Sequence, residues 1–462
     1  MAPDAVSRRA GPSPGPLDLD VLAMRDRLAA GSLRASEVAE AVIARAALLE
    51  PEVQAFAWFD EAHLRAEADR LDRLRRTGRP IGPLHGLPVG VKDIIDTRGI
   101  PTENGTAIDA GRVPPEDAFV VRRLRAAGAL LAAKTVTCEL AYLHPGPTRN
   151  PADPSRTPGG SSQGSAAAVA AGMLPLALGT QTGGSVIRPA SYCGVVGYKP
   201  TFGLIPRTGI LAQAPSLDCV GVFAGNIEGV ALLAEALIGD DPGDPATSPR
   251  APLRLPEIAA SPPPVRPTLA VLHVGPGRMV PEPDMVEAMA EVEAALGEAA
   301  FAIELPALFD EALAVRERIN LAEMSKCYHA YERRGTALLS GVLMDALERG
   351  RAIPARDYLA ALDWPRVLGA ALDAIFDRCD AIITPAALGP APGRETTGSA
   401  ALNALWSLCG VPVVTLPLLL SSEGLPMGLQ VVGRHGDDAR LLRTARWLWA
   451  TMSVREGIHS DA

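Results

Sequence analysis

Residues 179–185 read GTQTGGS, a run of small residues ending on Ser185, and no histidine stands near it in the chain. A serine nucleophile needs a group to take its proton. Lysine can replace histidine in that role on one condition: the amine must be neutral, which burial favours by penalising the charged form. Of 44 basic residues only four are lysines, Lys92, Lys134, Lys199 and Lys326. Arginine cannot release its proton in a protein and so cannot stand in for a base. Lys92 is the leading candidate, at the end of the apolar run LPVGVK, where a strand end can deliver it to a site. The competing reading is a surface lysine paired with Asp93 or Asp96.

Glycine-rich loops also cradle phosphates, and the stretch Thr157–Gly194 is dense in glycine and serine. The nucleotide-binding pattern fails, because no GK[ST] follows and GGSSQGS does not open a GxGxxG unit. The GxSxG nucleophile elbow fails too, since Val186 and Ile187 follow Ser185.

Positioning such residues calls for a sheet. LPVGVKDII, ALLAAKT and GVVGYKPTFG are short β-like runs divided by Gly and Pro, and PTLAVLHV reads as a later strand. Before them come helical patterns: LDVLAMRDRLAAG, then SEVAEAVIARAALLEP with Ser36 as N-cap and Pro51 as stop, then EAHLRAEADRLDRLRRTG. Strands alternating with helices predict an α/β fold. The proline-rich segment 239–267 is expected to be irregular, either a surface excursion or a linker between lobes. DDARLLRTARWLWATM predicts a closing helix.

A 48% hydrophobic content with 21% charged residues describes a soluble globular chain with a large core. The net charge of -9 argues against a surface that tracks phosphates. Cysteines 138, 193, 219, 327, 379 and 409 are scattered without metal-ligand spacing, as small buried residues in a reducing compartment would be. The N-terminal MAPDAVSRRAGPSPGP has no apolar run after its arginines, so a cytoplasmic protein is expected. Ala401–Leu420 is uncharged and long enough to span a bilayer, but Asn403, Gly410, Pro412 and Pro417 divide it into helix, turn and strand.

GLPVGVKD, GPTRNPADPSRTPGGSSQGSAAAVAAG and LALGTQTGGSVIRPASYCGVVGYKPT together resemble the amidase signature family, with PMGLQVVG near residue 430 similar to its C-terminal strand motif. The resemblance runs from about residue 20 to 450. It implies one domain over 1–462, a single large mixed β-sheet covered by helices on both faces. Its parts are N-terminal helices (about 20–75), a signature core (about 80–225), the excursion, and a C-terminal part (about 268–455) completing sheet and pocket.

The resemblance also implies a Ser-Ser-Lys triad of Ser185, Ser161 and Lys92, with Ser161 after a cis peptide bond. Backbone N–H groups of Thr182, Gly183, Gly184 and Ser185 would form the oxyanion hole, two glycines letting the chain curl there without a Cβ clash. Ser162 and Thr180 would support the relay. The activity implied is cleavage of carboxylic amides through an acyl-enzyme, with anilides, carbamates or esters within the same chemistry.

Many family members read GTDTGGSIR; this chain has Gln181, and Arg188 three residues after the serine, a form similar to the malonamidase branch. There the arginine holds a substrate carboxylate, so Arg188 is either such a group or a structural ion pair. Cys138 and Tyr142 are candidate pocket residues. The alternative is the glutaminase component of a tRNA-dependent amidotransferase, whose pattern is the aspartate and SIR form. No metal or other cofactor is implied. Expected partners are a small-molecule amide, no nucleic acid, no membrane and, as often in the family, a second copy in a homodimer.

Overall fold

The computed structural model describes residues 15–455, so most of the N-terminal stretch read above lies outside the described residues. Eleven strands are β1 Phe56–Trp58, β2 Pro88–Lys92, β3 Leu130–Thr135, β4 Leu176–Gln181, β5 Val196–Lys199, β6 Cys219–Ala224, β7 Leu269–Val271, β8 Ala300–Ala302, β9 Ala381–Pro385, β10 Val413–Leu420 and β11 Pro426–Val432. They form one sheet in the order β1-β3-β2-β4-β6-β5-β10-β11-β9-β7-β8. β3, β2 and β4 run parallel, as do β9, β7 and β8, while the strands between pair antiparallel. The sheet is therefore mixed, and it draws strands from both sides of the proline-rich segment.

Successive side chains of a strand point to opposite faces, so a strand buried at every residue needs cover on both. β2, β3, β4, β6 and β9 are buried throughout. Leu176 and Leu178 join one apolar cluster while Ala177 between them joins another. Ile382 and Ile383 divide likewise, as do Val413 and Val414. Helices supply that cover. The Glu61–Arg76 helix shows how: Asp60 accepts a hydrogen bond from the His63 N–H at its start, and Leu64, Ala68 and Leu71 form the buried stripe.

Two local readings are corrected. Ser36 does not cap its helix, which runs Ala35–Val53; the Asp72 carboxylate, far along the chain, accepts from the Ala35 and Ser36 N–H groups, and Glu37 accepts from that of Arg34. Pro51 lies within the last turn rather than stopping it, and Gln54 ends the helix in the left-handed conformation (φ 53°). The segment 239–267 is not wholly irregular either, since Leu255–Ala260 is helical with Leu255 and Ala259 buried. Ala401–Leu420 divides into a helix (Ala401–Leu408) and β10. No described helix is long and apolar enough to cross a membrane.

Candidate active site

Lys92 is the last residue of β2, with no exposed surface. Its Nζ lies 2.8 Å from Ser161 Oγ and 2.9 Å from Thr180 Oγ1, at the end of the neighbouring strand β4. Burial lowers this amine to about 7, against a smaller opposing pull from Cys138 and Asp218. The surface ion pair weighed for it does not form. Asp93 instead pairs with Lys134 at 3.3 Å, and Lys134 Nζ also donates to the Ile95 carbonyl and Thr102 Oγ1, which makes it a structural cation.

Ser161 follows a cis peptide bond to Gly160, and Ser162 directly precedes the Gln163–Ala170 helix. The Ser162 hydroxyl bridges the backbone of Thr180, donating to its carbonyl and accepting from its N–H, each at 3.2 Å. That clamp holds the loop carrying Ser161 onto β4, where Thr180 shares the Lys92 amine.

Between Leu176 and Cys193 every residue is buried except Ser185, which is partly exposed. Its hydroxyl makes no hydrogen bond among the described residues. The loop behind it is held tightly. Gln181 Oε1 accepts from the Val186 and Ile187 N–H groups at 2.9 and 3.0 Å, its Nε2 donates to Ser407 Oγ at 3.0 Å, and Ser407 Oγ donates to the Gly183 carbonyl at 2.6 Å. A trans peptide carries its N–H opposite its C=O, so fixing the Gly183 carbonyl on Ser407 aims the Gly184 N–H the other way. Thr182 Oγ1 donates to Asp218 Oδ1 at 2.5 Å, and burial raises that carboxyl to about 6.

The two glycines serve by absence of bulk rather than by left-handed backbone. A Cβ on Gly183 would lie 2.4 Å from Arg316 Nη2, and one on Gly184 would lie 2.4 Å from Asn403 Oδ1. Gln181 thus anchors the loop through contacts that the carboxylate of the GTDTGGS form could also accept, with one extra donor to Ser407. Replacing Ser407 with alanine should leave a buried donor on Gln181 and a buried acceptor on Gly183 unpaired. We expect about 2 kcal/mol of destabilisation in denaturant melts, with kcat falling roughly tenfold or more and KM changing less.

Arg188 is 1% exposed in the Ile187–Cys193 helix. Its Nη2 donates to the Gly160 carbonyl at 2.7 Å and more weakly to Thr397 Oγ1, while Nε and Nη1 have no partner. No carboxylate among the described residues pairs with it, so the structural ion pair is absent. Burial pulls its guanidinium below the ordinary value, yet arginine keeps its charge. Cys138 is fully buried, its sulfur packed against Gly160 and its N–H donating to the Ser161 carbonyl at 3.2 Å; burial pushes the thiol up to about 11. It backs the Ser161 loop rather than lining open space. Tyr142 is partly exposed beside the apolar cluster around Leu140, Leu321 and Met324. Asp218, Arg316, Asn403 and Ser407 escaped the sequence reading. Asp218, in PSLDCVG just before a buried strand, was the one with a visible signal.

The sequence profile of the Amidase family matches residues 37–442. The A component of the glutamyl-tRNA(Gln) amidotransferase of Symbiobacterium thermophilum is 35% identical, the match covering 94% of this chain and 96% of the relative. That of Chloroflexus aggregans is 34% identical over 92% and 94%. Among solved structures, one of a vestigial protein complex bearing on the origins of an s-triazine catabolic enzyme superposes with a TM-score of 0.86 at 30% identity, covering 94% of this chain and 98% of that one. The peptide amidase of Stenotrophomonas maltophilia gives 0.81 at 28%, covering 96% and 99%.

The curated relatives overturn the expected partner list. Proteins this similar along nearly their whole length are, by name, subunits of an enzyme named for a tRNA, so a list confined to a small-molecule amide and excluding nucleic acid does not stand. The physical reason lies in what net charge measures. A charge of -9 describes this chain's own surface, whereas one component of a complex can serve a nucleic-acid-dependent reaction while its partners contact the phosphates.

Proposed function

Because the chain belongs to the amidase family, we propose that it cleaves the C–N bond of a carboxamide, with Ser185 as nucleophile, Ser161 as relay and Lys92 as base. The observation that carries this reading is the Lys92 amine, buried and lowered to about 7, in contact with Ser161. Ser185 Oγ attacks the carbonyl carbon, and its proton passes through Ser161 to Lys92. The N–H groups of residues 182–185 receive the oxyanion, single donors of this kind being worth roughly 3 kcal/mol. As the tetrahedral centre collapses, the C–N bond breaks and the Lys92 proton returns through Ser161 to the leaving nitrogen. Water then attacks the acyl-Ser185 ester with the same relay as base, releasing the acid and restoring the serine.

Two settings share this chemistry: a free-standing amidase of the malonamidase-like branch, with Arg188 facing a substrate carboxylate, and the glutaminase component of a tRNA-dependent amidotransferase, releasing ammonia from glutamine. The names of the curated relatives favour the second. The contacts of Gln181 answer the aspartate part of the objection from its motif, since they anchor the loop without touching Lys92, Ser161 or Ser185, while Ile187 still stands where the SIR form has arginine.

The test is a panel of glutamine, half-amides, neutral amides, anilides, carbamates and esters, read as released ammonia, amine or alcohol. It is run on the chain alone and with the remaining components of a related amidotransferase. The amidotransferase reading expects glutamine turnover that rises at least tenfold with those components. High turnover of another amide by the chain alone favours the free amidase. No turnover in any arm, together with no fluorophosphonate labelling of Ser185, would sink the hydrolase reading altogether.

A further inference from the structure

A second cation borders the site, on a helix of the C-terminal part that was expected to complete the pocket, though the residue itself was not singled out. Arg316 lies in the Ala312–Cys327 helix, with its guanidinium pressed against Gly183: the space a Cβ would fill there is 2.4 Å from Nη2 and 3.0 Å from Cζ. Its Nε is buried and unpartnered, and the side chain makes no hydrogen bond, ion pair or ring contact among the described residues. The residue is nonetheless partly exposed, and its guanidinium meets the loop that carries Ser185 at Gly183.

The nearest negative groups are committed elsewhere. Asp218 accepts from Thr182 Oγ1 through one oxygen and from the Gln213 and Ala214 N–H groups through the other. Glu317 pairs with Arg349. Burial is the largest influence on Arg316 and lowers it, Tyr142 raises it, and Arg188 lowers it as a like charge. Two guanidiniums thus share one site without a carboxylate between them, an arrangement costly to the empty protein and relieved by an anion. An arginine merely reaching into solvent would have no reason to bury its Nε or to require glycine beneath it.

We propose that Arg316 is a specificity-determining residue that takes a carboxylate carried by the substrate, beside the scissile carbonyl. This rests on the reading of Ser185 as the centre of amide cleavage and names the substrate class: short amides bearing a carboxylate. The planar fork of the guanidinium suits two parallel hydrogen bonds to such a group, and the low polarity around its buried Nε strengthens them. Arg188 meets the site through the Gly160 carbonyl next to Ser161. The two cations therefore meet the loops of the two serines separately, Arg316 at Gly183 and Arg188 at Gly160.

The test is calorimetric titration of the whole chain with malonate, and with malonamide as its neutral counterpart, alongside turnover of malonamate and malonamide. The wild-type chain is expected to bind malonate at least tenfold more tightly than malonamide. Arg316→Gln should lose most of that preference and raise KM for malonamate with little change in kcat, while Arg316→Lys should keep an intermediate preference. Wild-type affinity for malonate in Arg316→Gln, or no preference in the wild-type chain, overturns the proposal. So does an equal fall in kcat for both amides, which would make Arg316 a stabiliser of the oxyanion. Ser185→Ala is expected to bind malonate as the wild type does while losing turnover, so the nucleophile and the anion site stand or fall separately.

Discussion

Lys92→Arg is expected to abolish turnover, by a factor on the order of 10⁴ or more in kcat/KM, although one basic residue replaces another. The argument is about protons rather than charge. Lys92 works in the proposed relay because burial lowers its amine to about 7, so that a large share is neutral near that pH and can accept the proton handed on by Ser161. Arginine holds its proton throughout the accessible range. It would also bring a planar fork into a space fitted to an ammonium with two hydroxyl neighbours.

The same logic fixes the pH profile of the wild type. The active form is the deprotonated one, so kcat/KM should climb about tenfold per pH unit below 7 and level off above it. Measurement with a neutral substrate between about pH 5 and 9 checks this, since such a substrate adds no titration of its own. A profile that falls across that range would remove Lys92 from the role of base.

Ser185→Ala should be as damaging to turnover and nearly silent in stability. The Ser185 hydroxyl makes no hydrogen bond among the described residues and sits at the one partly exposed position of a buried run, so its removal leaves no polar group unpaired. A change within about 0.5 kcal/mol in denaturant unfolding is expected, beside a loss on the order of 10⁴-fold or more in turnover. Since nucleophile and base act as one unit, Ser185→Ala combined with Lys92→Arg should lose scarcely more than either alone. Losses that multiplied would mean that the two residues act independently. That outcome would break the relay, whatever the fate of the single variants.

Much of the sheet could be read from the chain because buried strands are short, apolar and bounded by glycine and proline: LPVGVK, ALLAAKT and PMGLQVV appear as β2, β3 and β11. Local signals served less well where distant groups decide. Ser36 looked like a cap, but the orphan N–H groups at that helix start are met by Asp72, on another helix. Lys92 stood out because arginine fills almost every other basic position, and its contacts with Ser161 and Thr180 join segments 69 and 88 residues away. Arg316 offered no such contrast, being one arginine among many on a helix with Arg318 close by. Its meaning comes from meeting Gly183, a contact that no spacing rule encodes. The glycines themselves were legible, but for a different reason: neither has a positive φ, and the room they leave is taken by Arg316 and Asn403.

The scarcity of lysine has a practical side. Lys92, Lys134 and Lys199 are each at most 1% exposed, and among the side chains Lys326 alone presents an ammonium group to solvent. A reagent that acylates lysine side chains should therefore attach at Lys326. Preparations immobilised or dye-labelled through a lysine are then held by that residue, with the buried base untouched.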